Sequence, residues 1–236
     1  MSETLAVVDF DRTLYNTAVA SEAYARAVSD EGLLQSHELG EVQELAQNTG
    51  VSFDPFEYVR QLGVTEQQLD RVTARFYELV QGRFEREILY PDAVPFMHRL
   101  ANSGVPAVIM TYGNPEWQAI KLRSVGFDIW PHILTTEKYK GEAIAKWLNP
   151  ENGVYHPIGV KNPGLPPYAG HQALRHVTLT DDKAASFRGL PAGATGYLLR
   201  REGIDILPSQ LGDVGPSISV VSSLDQIEVE SFRRAA

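Results

Sequence analysis

Cysteine is absent from the 236 residues, which removes disulfides and thiolate metal sites and fits a reducing, cytoplasmic setting. No apolar run approaches the ~20 residues needed to span a bilayer, and no basic segment followed by a long apolar stretch opens the chain. Neither a membrane span nor a signal peptide is expected. Positive charge is in short supply: 21 Lys and Arg stand against 30 Asp and Glu, for a formal charge of −9 and a pI near 5.2. A basic footprint for nucleic acid or anionic lipid is therefore missing, and an anionic substrate has to be met by a local cation. The histidines, His37, His98, His132, His156, His171 and His176, show no H-E-x-x-H or comparable ligand spacing and read as surface or structural side chains. Internal repeats and low-complexity tracts are also lacking.

What remains is ordinary globular composition, 43% hydrophobic and 22% charged, in a chain long enough for one α/β domain with an insertion. A first strand is expected over Thr4 to Asp9. From residue 16 to 88 helical spacing takes over. Val19, Ala23, Ala27 and Val28 recur at three- and four-residue steps. Asp54-Pro55-Phe56-Glu57 has the form of a cap, a proline at the first helical position and a reach-back glutamate. Thr65 to Gln68 opens another helix, with Leu69, Val72, Phe76, Leu79 and Val80 as its apolar stripe. After Tyr90-Pro91-Asp92 strands and helices alternate. Helices are expected over 93–102, from Asn114-Pro115, and over 139–148, with strands over 105–110, 129–134, 177–180 and 195–199. Residues 149–170, rich in Pro, Gly and Asn, read as an irregular loop. The alternation predicts an α/β fold: a doubly wound, mainly parallel Rossmann-like sheet (residues 1–15 and 89–236) with an inserted all-helical cap (16–88).

Ligands bind such sheets beyond the carboxyl ends of the strands, so the polar residues there carry the argument. Asp9 and Asp11 follow the first apolar run, Thr111 the second strand, Lys138 and Lys140 the third, and Asp181 and Asp182 the fourth. Paired acids near a buried strand resist desolvation unless a cation or a catalytic duty accounts for them. Phosphoryl transfer does account for them. Asp9, the Asp11 carbonyl and Asp181 form an all-oxygen shell suited to Mg²⁺. The Thr111 hydroxyl and backbone amides by Tyr112, Gly113 and Asn114 are placed to hold phosphate oxygens. A lysine would neutralise the remaining charge. Lys140 is preferred to Lys138 because it stands closer to the helical run Ile144, Trp147 and Leu148. In plainer roles, Asn114 caps its helix, Asp182 caps a helix over 183–187, and Trp117, Trp130 and Trp147 pack.

Val7-Val8-Asp9-Phe10-Asp11-Arg12-Thr13-Leu14, Val108 to Thr111, Lys140 to Ile144 and Thr178 to Asp182 resemble, in order, the four motifs of the haloacid dehalogenase-like hydrolase superfamily. The third lacks the common Lys-Pro pairing. The resemblance implies Asp9 as nucleophile, Asp11 as general acid and base, and a magnesium ion. Because Asp11 is present, it favours the phosphatase branch over the dehalogenase branch. The expected activity is a magnesium-dependent hydrolysis of a small phosphorylated metabolite through an aspartyl phosphate, by a monomer or small homo-oligomer. The alternatives are a phosphotransferase or mutase with the same intermediate, and a non-catalytic metabolite-binding relative.

Overall fold

Consecutive apolar residues at Leu5-Ala6-Val7-Val8 leave no polar face, which suits a strand covered on both sides. In the computed structural model, which describes residues 3–48, 54–162, 173–201 and 217–233, that run forms β1 (Thr4–Val8), buried throughout. Four helices follow: α1 (Thr17–Asp30), α2 (Ser36–Asn48), α3 (Pro55–Gln61) and α4 (Glu66–Gln81). The alternating part comprises α5 (Ala93–Asn102), β2 (Ala107–Tyr112), α6 (Pro115–Ser124), β3 (His132–Thr135), α7 (Lys140–Ala145), β4 (Leu148–Asn149), β5 (Val154–Tyr155), β6 (His176–Asp181), β7 (Thr195–Leu199) and β8 (Ile218–Val221).

The principal sheet has six strands in the order β3-β2-β1-β6-β7-β8, and every neighbouring pair is parallel. The chain steps outward from β1 to β2 and β3, then returns to place β6 on the other flank of β1. That reversal is the switch point of a doubly wound α/β sheet, where the carboxyl ends of β1 and β6 open side by side. Register aligns Val8 with Thr180 and Thr111 with Leu134, so Asp9 and Asp181 emerge at the same edge. Leu5, Val7, Val108, Met110, Val177, Leu179 and Leu198 fill the core beneath them.

Contacts divide the chain into two units. One holds residues 1–15, 90–112 and 129–236; the other holds 16–89 and 113–128. Within the second unit, α4 buries Leu69, Val72, Phe76, Leu79 and Val80, and its capping box joins Thr65 and Gln68. Tyr24, Phe56, Phe76 and Trp117 cluster there, with ring centroids 4.8 to 6.4 Å apart. Asp54 caps α3 by accepting from the Phe56 and Glu57 amides, while the Glu57 carboxylate turns to Arg60 and Gln61. Helix α6, which the alternation pattern assigned to the sheet domain, groups with the helical unit through α4. Two further differences are local. The helix expected over 139–148 stops at Ala145, and part of the expected loop forms the antiparallel hairpin β4–β5. The rest of that loop, from 163, lies outside the described residues, as does His171.

Candidate active site

Asp9 leaves the end of β1 with its amide donating to Thr180 O at 2.9 Å, which fixes its backbone against β6. The chain then folds on itself. Phe10 O accepts from the amides of Thr13, Leu14 and Tyr15, and the Arg12 amide donates to Tyr15 O at 2.8 Å. Arg12 adopts φ 61°, the left-handed region that non-glycine residues seldom occupy. The turn brings Thr13 back over Asp9, where its Oγ1 donates to Asp9 Oδ2 at 2.9 Å. The rings of Phe10 and Tyr15, fully buried and stacked 4.6 Å apart, brace it from below.

Lys140 opens α7 and points its Nζ between two acids, donating to Asp9 Oδ1 and, at 2.7 Å, to Asp181 Oδ2. Its side chain is only 3% exposed. Glycine at 141 permits that placement: a Cβ there would lie 2.5 Å from Arg188 O and 2.7 Å from Leu190 N. Asp181 also accepts from the Lys183 amide at 2.8 Å, and no side chain caps the short 3₁₀ turn over Ala184–Phe187. Asp182 is released from the capping role expected of it. Its Oδ1 is buried without a hydrogen-bond partner.

One oxygen each from Asp9, Asp181 and Asp182 lies within 4.8 Å of the others. Burial, reinforced by Asp181, raises the Asp9 carboxyl to about 6 against the pull of Lys140. Burial and the charges of Asp9 and Asp181 raise Asp182 to about 8. Burial pushes the Lys140 ammonium down, but Asp181 and Asp9 outweigh it and leave it above its ordinary value. With all three carboxylates ionised, as metal ligands must be, one ammonium leaves two negative charges uncompensated. The orphaned Asp182 oxygen and the all-oxygen donor set therefore fit a hard divalent cation such as Mg²⁺.

The structure thus brings Asp9, Lys140 and Asp181 together with Asp182, a strand-end acid that the sequence reads as a cap and not as a metal ligand. The Asp-Asp pairing at the end of an apolar strand was the signal that could have found it. The carboxylate of Asp11, half-buried, is not part of that trio but is near enough to push Asp9 upward. Thr111 is fully buried at the end of β2, followed by Tyr112. Gly113 and Asn114 begin the second segment of the helical unit. Asn114 Oδ1 caps α6, accepting from the Glu116 and Trp117 amides at 2.9 and 3.4 Å. Lys138 lies over the Tyr139 ring, 5.8 Å from its centroid.

Neither a protein-family model nor a curated protein matches this chain. Solved structures do match over nearly the whole length. A haloacid dehalogenase-like hydrolase from Burkholderia xenovorans is 19% identical, with TM-score 0.60, covering 100% of this chain and 99% of its own. A HAD hydrolase of family IA, variant 3, from Entamoeba histolytica is 13% identical, with TM-score 0.52 and coverage of 98% of each chain. The HAD-hydrolase YfnB from Bacillus subtilis, bound to magnesium, is 12% identical, with TM-score 0.51, covering 95% of this chain and 96% of its own. The chain has the haloacid dehalogenase-like fold.

Proposed function

We propose that the protein is a magnesium-dependent phosphoric monoester hydrolase that uses Asp9 as its nucleophile. The observation that carries this reading is the buried Asp9 carboxylate held by Lys140 and Thr13 beside Asp181 and Asp182. A carboxylate fixed by two donors at a strand end is oriented for in-line attack, and Lys140 supplies positive charge where the transferring phosphoryl group gathers negative charge. Magnesium, which YfnB binds in its structure, would be held by Asp9, Asp181 and Asp182 with the Asp11 carbonyl, and when bound supplies charge neutralisation for the phosphate oxygens.

The chemistry of the chain's own residues has two halves. An Asp9 oxygen attacks phosphorus as the bond to the ester oxygen breaks, and Asp11 gives its proton to the leaving alkoxide. The product is an aspartyl phosphate. Asp11, now ionised, takes a proton from water as that water attacks phosphorus; the acyl phosphate bond breaks and Asp9 is restored. The Thr111 hydroxyl, buried at the end of the neighbouring strand, is the proposed ligand for a phosphate oxygen. Soluble sugar phosphates and nucleotide monophosphates are the compounds to test first, and a cytoplasmic location suits them.

Hydrolysis of para-nitrophenyl phosphate with Mg²⁺ tests the mechanism. Asp9→Asn is expected to lose at least roughly 10³-fold in kcat and Asp11→Asn roughly 10²- to 10⁴-fold, as expected for removal of a nucleophile and of an acid-base group. Rates equal to wild type in both variants would rule the mechanism out. In ¹⁸O-labelled water the released phosphate carries one solvent oxygen if water is the acceptor, whereas transfer to a second hydroxyl yields a new phosphate ester with no solvent oxygen.

A further inference from the structure

Asp92 stands where a cap for α5 belongs, yet its side chain makes no cap hydrogen bond. Both of its oxygens go elsewhere. Asp92 Oδ1 accepts from Arg201 Nη2 at 2.7 Å, and Oδ2 accepts from Arg201 Nη1 at 3.1 Å and from Ser223 Oγ and the Leu224 amide, each at 2.9 Å. The same Nη2 donates to the carbonyl oxygen of Thr13 at 2.8 Å. The guanidinium lies 3.8 Å from the centre of the Tyr90 ring. The pair is largely shielded from water, at 12% and 7% exposure. A buried fork of this kind gives little net stability over apolar packing, so its value lies in what it fixes in place. What it fixes is Thr13, one residue after the left-handed Arg12, in the turn whose hydroxyl reaches Asp9. A turn with such a backbone needs its surroundings to over-determine it.

We propose that Arg201, oriented by Asp92, is a positioning residue that holds Asp9 in its attacking geometry through Thr13. The proposal rests on the reading of Asp9 as nucleophile. Both terminal nitrogens of Arg201 are already committed to Asp92 and Thr13, so Arg201 acts on the turn and not on the substrate. Lysine replaces it only in part, because a single ammonium lacks the planar fork that serves carboxylate and carbonyl together.

The test compares Arg201→Gln and Arg201→Lys with Arg99→Gln. Arg99 binds Asp225 and Leu224 O, at 2.8 and 2.7 Å, and so ties down the same C-terminal segment without touching Thr13. With para-nitrophenyl phosphate and Mg²⁺, Arg201→Gln is expected to lower kcat by roughly 10- to 100-fold with KM changed less than about 3-fold, the signature of lost alignment. Arg201→Lys falls between it and wild type, and Arg99→Gln keeps kcat within about 2-fold although it melts lower. Combined with Thr13→Val, which removes the hydroxyl link, Arg201→Gln adds less than about 2-fold. Equal kcat losses in the Arg99 and Arg201 variants, or a fully additive double variant, overturn the proposal. Amide hydrogen exchange at Thr13, Leu14 and Tyr15 gives a readout independent of activity. It should quicken about 10-fold in Arg201→Gln and not in Arg99→Gln, as expected for local opening of the turn; unchanged exchange also overturns the proposal. A wild-type protein without hydrolytic activity would sink the phosphatase reading and leave exchange to decide the positioning role.

Discussion

Burying Asp182 beside Asp9 and Asp181 works against folding whenever all of them are ionised. The pH dependence follows. Folded Asp182 titrates at about 8 against an unfolded value near 3.8, so the folded state holds the proton more tightly between those limits. The contribution of Asp182 to metal-free stability is therefore fully present below about pH 4 and lost as pH rises through about 8. Asp9, raised to about 6, adds to the same trend. In EDTA, thermal melts should fall from pH 5 to pH 8, and Asp182→Asn should flatten that fall. At pH 8 the variant should be more stable than wild type by at least roughly 1–3 kcal/mol, because the neutral amide removes the buried unpartnered charge. A variant that melts lower at every pH would show that Asp182 is paired in the folded protein.

Helix α7 is a short element whose placement depends on one glycine. A Cβ on Gly141 would meet Arg188 O, Leu190 N and Phe187 O, all main-chain atoms that cannot rotate aside. Gly141→Ala must push α7 away from the 187–190 segment, and Lys140 moves with it. Overpacking of this kind costs about 1–3 kcal/mol, and a shift of the ammonium by an ångström should lower kcat by roughly 10²-fold. Circular dichroism melting together with kcat checks both. A Gly141→Ala protein with wild-type turnover would mean that the helix has room to adjust. The glycine also gives a reason for the missing Lys-Pro pairing: the position needs the smallest residue. In the helical unit, Trp117 packs with Tyr24, Phe56 and Phe76, and Trp117→Ala should destabilise that unit by about 3–5 kcal/mol.

For the molecule as a whole, magnesium bound by the carboxylate trio would couple folding to metal. Magnesium at about 100 times its dissociation constant should stabilise wild type by roughly 2.7 kcal/mol through binding linkage. Because the ligands must be ionised, the gain should grow from pH 5 to pH 8, opposite to the trend in EDTA. Differential scanning fluorimetry with magnesium and with EDTA reads it directly, and Asp181→Asn should abolish most of the shift. An equal shift in that variant would place the metal elsewhere. No helix among the described residues is long and apolar enough to cross a membrane.

Local pattern decided much on its own. The apolar run into Asp9, the stripe of α4, the Thr65–Gln68 box and the Asn114-Pro115 start depend on neighbours within a turn or two, and these elements formed where the spacing put them. The strand ends of an α/β sheet also marked Asp9, Lys140 and Asp181 in advance, because such a sheet opens its ligand edge at a fixed place in the chain's order. Pairing across distance was not legible. Asp182 became a member of the acidic trio instead of a cap, Asp92 found Arg201 109 positions away, and α6 took its place beside α4. Each of those outcomes depends on which surfaces meet when the chain closes, and the period of hydrophobic residues carries no record of a side chain's distant partner.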